Sequence, residues 1–139
     1  STDPASELVG ISVIDADCLV DPAFRVSCKL LSMFGLDHVP IAKSTLPGVR
    51  PFPMEWRKHC LCCEDLPSLN VPSIKEPERR PGADLTGQQL LVNVVTQSSE
   101  PVTIVVTGPM TNVAWALDND PTFHKNVKEV VVMGGAVDV

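Results

Sequence analysis

The chain alternates between unbroken apolar runs and stretches where apolar residues return every three or four positions. Leu8–Ile14 reads Leu-Val-Gly-Ile-Ser-Val-Ile, the near-continuous pattern of a strand covered on both faces. Asp21-Pro22 offers an N-cap and a first-turn proline. Ala23, Val26, Leu30 and Phe34 then recur at helical spacing up to Gly35, a good residue to end a helix. Val39–Ala42 is a short second strand, and the order strand, helix, strand predicts a parallel pair with a right-handed crossover. Farther on, Thr86-Gly87-Gln88-Gln89 has the form of a capping box and opens a helix over Gln88–Gln97 that buries Leu90, Leu91, Val94 and Val95. Pro101 leads into Val102–Val106, a buried strand stopped by Gly108-Pro109. Thr111-Asn112 caps a helix through Leu117, and Asp120-Pro121 starts a short helical turn. Val130–Met133 is the next strand, ended by Gly134-Gly135. The alternation predicts an α/β fold with a mostly parallel sheet flanked by helices.

Ser44 to Gly82 breaks this rhythm. It holds more than half of the 13 prolines and little periodicity, which predicts a functional or mobile irregular segment within one partial domain spanning 1–139. With 139 residues, 44% of them apolar, there is enough chain for a core; four Phe, two Trp and no Tyr make that core aliphatic. A net charge of −6, with no basic cluster beyond Glu78-Arg79-Arg80, argues against nucleic acid or an anionic membrane as partner. No apolar run approaches the roughly 20 residues that span a bilayer. Five cysteines without framework spacing read as unpaired thiols in a reducing, cytoplasmic compartment. The start lacks an initiator Met, and Val137-Asp138-Val139 stops just after a strand, so the sheet is expected to be incomplete at both ends.

In open parallel sheets ligands bind beyond the carboxyl ends of the strands. Three such ends carry notable residues: Asp15 and Asp17, then Thr107, then Met133 before Gly134-Gly135. If the strands are neighbours, these residues share one rim. That names a place and no reaction.

Val106-Thr107-Gly108-Pro109-Met110-Thr111-Asn112-Val113-Ala114-Trp115, followed by Val131-Val132-Met133-Gly134-Gly135-Ala136-Val137, resembles the paired loops of inosine-uridine nucleoside hydrolases. Asp15-Ala16-Asp17-Cys18 and Pro51-Phe52-Pro53-Met54-Glu55-Trp56-Arg57 are similar to the purine-specific subgroup of trypanosomatids, which prefers inosine, adenosine and guanosine. Leu66-Pro67-Ser68-Leu69-Asn70 and Gly87-Gln88-Gln89-Leu90-Leu91 fit the same pattern, so the likeness runs the length of the chain. The resemblance implies a Rossmann-like fold and a purine-salvage enzyme, acting on a small-molecule purine nucleoside as a homo-oligomeric dimer or tetramer. It implies hydrolysis of the N-glycosidic bond through an oxocarbenium-like ribosyl centre, by a water polarised by one Ca²⁺ and deprotonated by an aspartate. Carried over by position, Thr107 offers its main-chain carbonyl to the Ca²⁺, Met133 packs on the ribose, and Asp17 contacts the base and helps it leave. Trp56 stacks on the purine and favours its protonation. The family's Asp-x-Asp-x-x-x-Asp-Asp cluster, with the general base, is expected before Ser1, so the fragment alone is expected to be inactive.

Each residue has a plainer reading. Thr107 can be a turn residue, Met133 core, Asp17 a turn cap and Trp56 a loop anchor; Asp15 reads as structural or as a support behind the site residues. Trp115 reads as packing and Asn112 as the helix cap. His38 and His124 read as surface residues. His59-Cys60-x-Cys62-Cys63 invites a zinc site, but it lacks the second knuckle such sites pair with, since Cys18 and Cys28 lie on other elements. The rival functions are a pyrimidine or mixed base preference, which Trp56 argues against, and a non-catalytic nucleoside- or ribose-binding module of the same fold. The lack of G-x-G-x-x-G after any strand argues against a Rossmann dinucleotide binder.

Overall fold

The structure, a computed structural model, describes residues 6–48 and 52–135. Pro51 of the loop motif, and the reading of a strand end at 137–139, lie outside these residues.

Strand β1 (Ile11–Val13) is shorter than its apolar run. It feeds helix α1 (Val20–Met33), which begins before the expected Asp21. Leu19 precedes the helix without a side-chain cap. The cap comes instead from Asp15, whose Oδ1 accepts the Val20 N–H at 2.9 Å. Asp21 therefore lies inside the first turn, where its charge suits the helix dipole. It pairs with Lys43 Nζ at 2.8 Å, and that hydrogen bond holds its carboxyl below the ordinary range. The earlier start also changes which face is inward. Val20, Phe24, Cys28 and Leu31 meet the core, while Leu30 and Phe34 face outward. Cys28, counted as a thiol in the sequence, behaves here as a small apolar residue. Gly35, at φ +68°, ends the helix as expected. Its N–H reaches Ser32 O and that of Leu36 reaches Leu31 O at 2.8 Å, the two bonds of a Schellman turn.

Strand β2 (Ile41–Lys43) pairs parallel with β1, Ile11 opposite Ile41, so the β-α-β unit forms as expected. Val13, Cys28, Leu31, Val39 and Ile41 form its core. The Pro-rich segment is not structureless. A short helix α2 (Met54–Arg57) runs into 3-10 turns at Lys58–Asp65 and Pro67–Leu69. Side chains of α1 hold these turns in place. Lys29 Nζ donates to Glu64 O at 3.0 Å and to Asn70 Oδ1 at 2.6 Å, and Arg25 pairs with Glu64.

Helix α3 (Gly87–Gln97) opens on the capping box that its sequence announces: Thr86 accepts from the Gln89 N–H, and the Gln89 side chain returns the bond to the Thr86 N–H. Leu90 and Val95 are buried, while Leu91 and Val94 are half-buried. At its far end Asn126 Nδ2 satisfies Val95 O at 2.7 Å and Ser98 O at 2.9 Å, carbonyls the helix leaves unpaired. Strand β3 (Val102–Val106) has the expected bounds but not the expected burial. Ile104 and Val106 face the core; Val105, opposite, is 67% exposed because no described element covers that face. Helix α4 (Thr111–Asn119) extends beyond Leu117 and starts after Met110 with no side-chain cap. Asn112 is thus not the cap: it is the second helical residue and is buried. A 3-10 turn (Phe123–Asn126) follows Asp120-Pro121 and leads into strand β4 (Val127–Val132), parallel to β3 with a register shift after Val102. Val95, Ile104, Val106, Val113, Ala116 and Phe123 form the second core.

The class is α/β with parallel strands. Among the described residues the strands pair as β1-β2 and β3-β4, two two-stranded sheets rather than one.

Candidate functional site

A cleft of about 530 Å³ separates the two sheets, walled by β1 on one side and β3 on the other. Helix α3 contributes Leu91, Val94 and Val95 and α1 contributes Ala23 and Ser27. At the carboxyl ends of the strands, Ala16, Asp17 and Cys18 share the cleft with Thr107, Gly108 and Pro109. The approach is tight here. A Cβ on Gly108 would stand 3.2 Å from the Ala16 Cβ, so glycine lets the two strand ends meet. Of the residues expected on one rim, Asp17 and Thr107 both border this cleft and are solvent-exposed, although β1 and β3 are not paired among the described residues.

Met133 and Trp56 are exposed outside the cleft itself. The Met133 N–H donates to Val106 O at 2.8 Å, which sets it across the strand pair from Thr107 with its side chain exposed. Trp56 is 62% exposed on α2, its ring 6.1 Å from that of Phe52 and tilted by 43°. Neither residue lines the cleft. The next residue, Arg57, turns the other way and is buried. Its Nη2 lies 3.1 Å from Asp15 Oδ2, so the Trp-bearing turn is tied to the rim by an ion pair. Asp15 is structural, as expected, through two contacts: Val20 N–H on one oxygen and Arg57 on the other. Nothing in the sequence marked Arg57, because a buried arginine in an irregular segment has no periodic signature.

Asn112 was also underestimated. Its Oδ1 accepts from Ser44 Oγ at 2.7 Å and its Nδ2 donates to Ser12 Oγ at 2.8 Å. It thereby joins α4 to β1 and to the residue that follows β2. The only hint was polar: Ser12 interrupts an apolar run and Ser44 follows β2 directly. Trp115 is half-buried beside Gln89 and Val92 of α3, a packing position. His38 and His124 are exposed.

The cysteine-rich turn has an unexpected neighbour. Cys60 Sγ donates at 3.3 Å to the carbonyl of Asp17, the residue before Cys18, and Cys63 Sγ donates to Cys60 O at 3.0 Å. Burial, hydrogen bonding to Cys60 and the nearby charge of Cys63 push the Cys18 thiol up to about 12. Among the described residues no group of three or more His, Cys, Asp or Glu side chains is arranged to hold a metal ion. No helix of the described residues is long and apolar enough to cross a membrane.

Comparison with known proteins places this geometry in context. The family described as inosine-uridine preferring nucleoside hydrolase matches residues 1–139. A pyrimidine-specific ribonucleoside hydrolase RihA of Enterobacter sp. strain 638 is 44% identical over 118 residues, covering 84% of this chain and 36% of that protein. The crystal structure of an inosine-uridine preferring nucleoside hydrolase from Bacillus anthracis superposes with a TM-score of 0.84 at 37% identity, over 94% of this chain and 42% of that one. A purine-preferring ribonucleoside hydrolase from Gardnerella vaginalis shares the fold, with a TM-score of 0.72 at 23% identity. The chain thus spans less than half the length of these proteins.

Proposed function

Because the chain belongs to the inosine-uridine preferring nucleoside hydrolase family, we propose that the protein hydrolyses the N-glycosidic bond of ribonucleosides, with a preference for purines, as a cytoplasmic salvage enzyme working as a homo-oligomer. The observation that carries the reading is the meeting of Asp17 and Thr107 on one rim, at the strand ends where a parallel sheet binds its ligands.

The reaction joins a water oxygen to C1′ of the ribose and breaks the bond from C1′ to the base nitrogen. The base leaves more readily when it takes a proton, and the sugar centre passes through a cationic, oxocarbenium-like state. Asp17, exposed on the rim, accepts a hydrogen bond from the base. Trp56 presents an exposed indole face that stacks on a purine and favours its protonated form. Met133, beside the Thr107 end of β3, gives the ribose an apolar surface. The purine preference rests on Trp56, since the curated RihA relatives are named pyrimidine-specific.

Calcium takes six to eight hard oxygen ligands. The described residues offer it the Thr107 carbonyl, while Asp15 is engaged by Val20 and Arg57. This set does not hold the ion by itself, so the calcium assignment belongs to the whole polypeptide.

The whole protein is expected to release hypoxanthine from inosine faster than uracil from uridine. Equal or faster uridine cleavage overturns the purine preference, and release from neither substrate overturns the hydrolase reading. Chelation is expected to stop turnover and added Ca²⁺ to restore it; turnover that persists in chelator removes calcium from the proposal. Trp56→Ala is expected to lower kcat by about tenfold, the worth of one stacked cation-like ring, with little change in KM. A change confined to KM leaves Trp56 with ground-state binding alone.

A further inference from the structure

The cysteines at the rim stand apart from the hydrolytic reading and do not depend on it. Cys18 follows Asp17 in the turn between β1 and α1, whereas Cys60 and Cys63 belong to the 3-10 turn after Trp56. Although 42 residues separate Cys18 from Cys60 in the numbering, Cys60 Sγ donates at 3.3 Å to the carbonyl of Asp17, the residue bonded to Cys18, and Cys63 Sγ donates to Cys60 O at 3.0 Å. The two segments do not drift past each other. The Arg57–Asp15 ion pair, 3.1 Å long, holds them on one side, and the bonds from Lys29 to Glu64 and Asn70 hold them on the other. Cys60 is 5% exposed and Cys18 and Cys63 are half-buried. Thiols brought to one place on two clamped segments lose little further freedom when they join.

We propose that Cys18 and Cys60 are a modification site: a hydroperoxide oxidises them to an intramolecular disulfide that staples the Asp17 turn to the Trp56-bearing segment. The Cys60 thiolate attacks the hydroperoxide oxygen, the O–O bond breaks, and a sulfenic acid forms as water or an alcohol leaves. The Cys18 sulfur, giving up its proton, attacks the Cys60 sulfur and displaces water. Two thiols lose two hydrogens and two electrons, and the hydroperoxide receives both. Cys18, kept protonated at neutral pH by burial and by its thiol neighbours, is the second sulfur to react. Raising the pH increases its thiolate fraction and speeds closure.

The test treats the purified protein with hydrogen peroxide, blocks remaining thiols with iodoacetamide, and maps peptides by mass spectrometry without reduction. Cys62→Ser serves as the background, because Cys62 is exposed and open to intermolecular oxidation. The expected result is one cross-linked peptide pair joining Cys18 to Cys60, with two thiols lost per chain and both recovered by dithiothreitol. Cys18→Ser and Cys60→Ser are each expected to abolish the link, and Cys28→Ser to leave it intact. Circular dichroism of each variant shows whether it folds, and a folded variant that still forms the pair through other cysteines overturns the assignment. So does full alkylation of Cys18 and Cys60 after peroxide, or a link confined to Cys60 and Cys63.

Discussion

At the scale of single residues, the most constrained group outside the rim is Arg80. Its guanidinium is buried and donates to Asp37 Oδ1 at 2.7 Å, to Cys28 O at 2.6 Å and to Ser32 Oγ. Ser32 Oγ in turn donates to Asp37 at 2.7 Å. The Ser32 hydrogen bond, followed by the Arg80 charge, holds the Asp37 carboxyl below its ordinary value. A carboxylate with a lowered folded pKa adds stability that is fully present above its unfolded value, about 3.9, and is lost as the pH falls through the folded one. Urea midpoints are therefore expected to fall below about pH 4 in the native protein. Asp37→Asn is expected to be less stable at neutral pH and to show a shallower acid limb. Parallel acid limbs in the two proteins would mean that Asp37 contributes nothing to acid sensitivity.

Among the elements, legibility in the sequence followed how local the forces are. The α3 start was readable because its capping box is completed within four residues, Thr86 to Gln89. Replacing Thr86 by Ala is expected to cost about 1 kcal/mol in denaturant melts. The bounds of β3 were likewise readable from an uninterrupted β-branched run. The α1 start was not, because its cap is Asp15, on the far side of the turn that Asp17 occupies. Gly87 makes the same point from packing. Its helical position favours alanine by about 1 kcal/mol in propensity, yet a Cβ there would stand 2.7 Å from Ser44 N and 2.8 Å from Ser12 Oγ. Gly87→Ala is expected to destabilise by about 1–3 kcal/mol, as overpacking against backbone does. A stabilised variant would show that α3 shifts freely against the strands. The Cys60–Asp17 hydrogen bond and the Arg57–Asp15 pair were hidden for the same reason, since both join segments that only the folded chain brings together.

Over the whole molecule, two β-α-β units with separate cores face each other across the cleft, and α3 packs against both. The α/β class, the parallel pairing and the shared position of Asp17 and Thr107 at the cleft were legible from the order of elements and from where each strand stops. The division into two sheets was not, because periodicity tells which residues are apolar and not which strands are neighbours. Asn112 crosses that division through Ser12 and Ser44, 100 and 68 residues away in sequence. Each unit is built from short-range contacts, whereas these two bonds close very long loops, so their entropic cost falls late on the folding route. Asn112→Ala, which leaves the buried Ser44 hydroxyl and the half-buried Ser12 hydroxyl without their amide, is expected to lower stability by about 1–3 kcal/mol. In a chevron plot that loss is expected almost wholly in a faster unfolding arm, with the refolding arm unmoved. Slowed refolding would instead put Asn112 in the folding nucleus. On that expectation a single amide, placed where the two halves meet, sets how long the assembled molecule lasts rather than how quickly it is made.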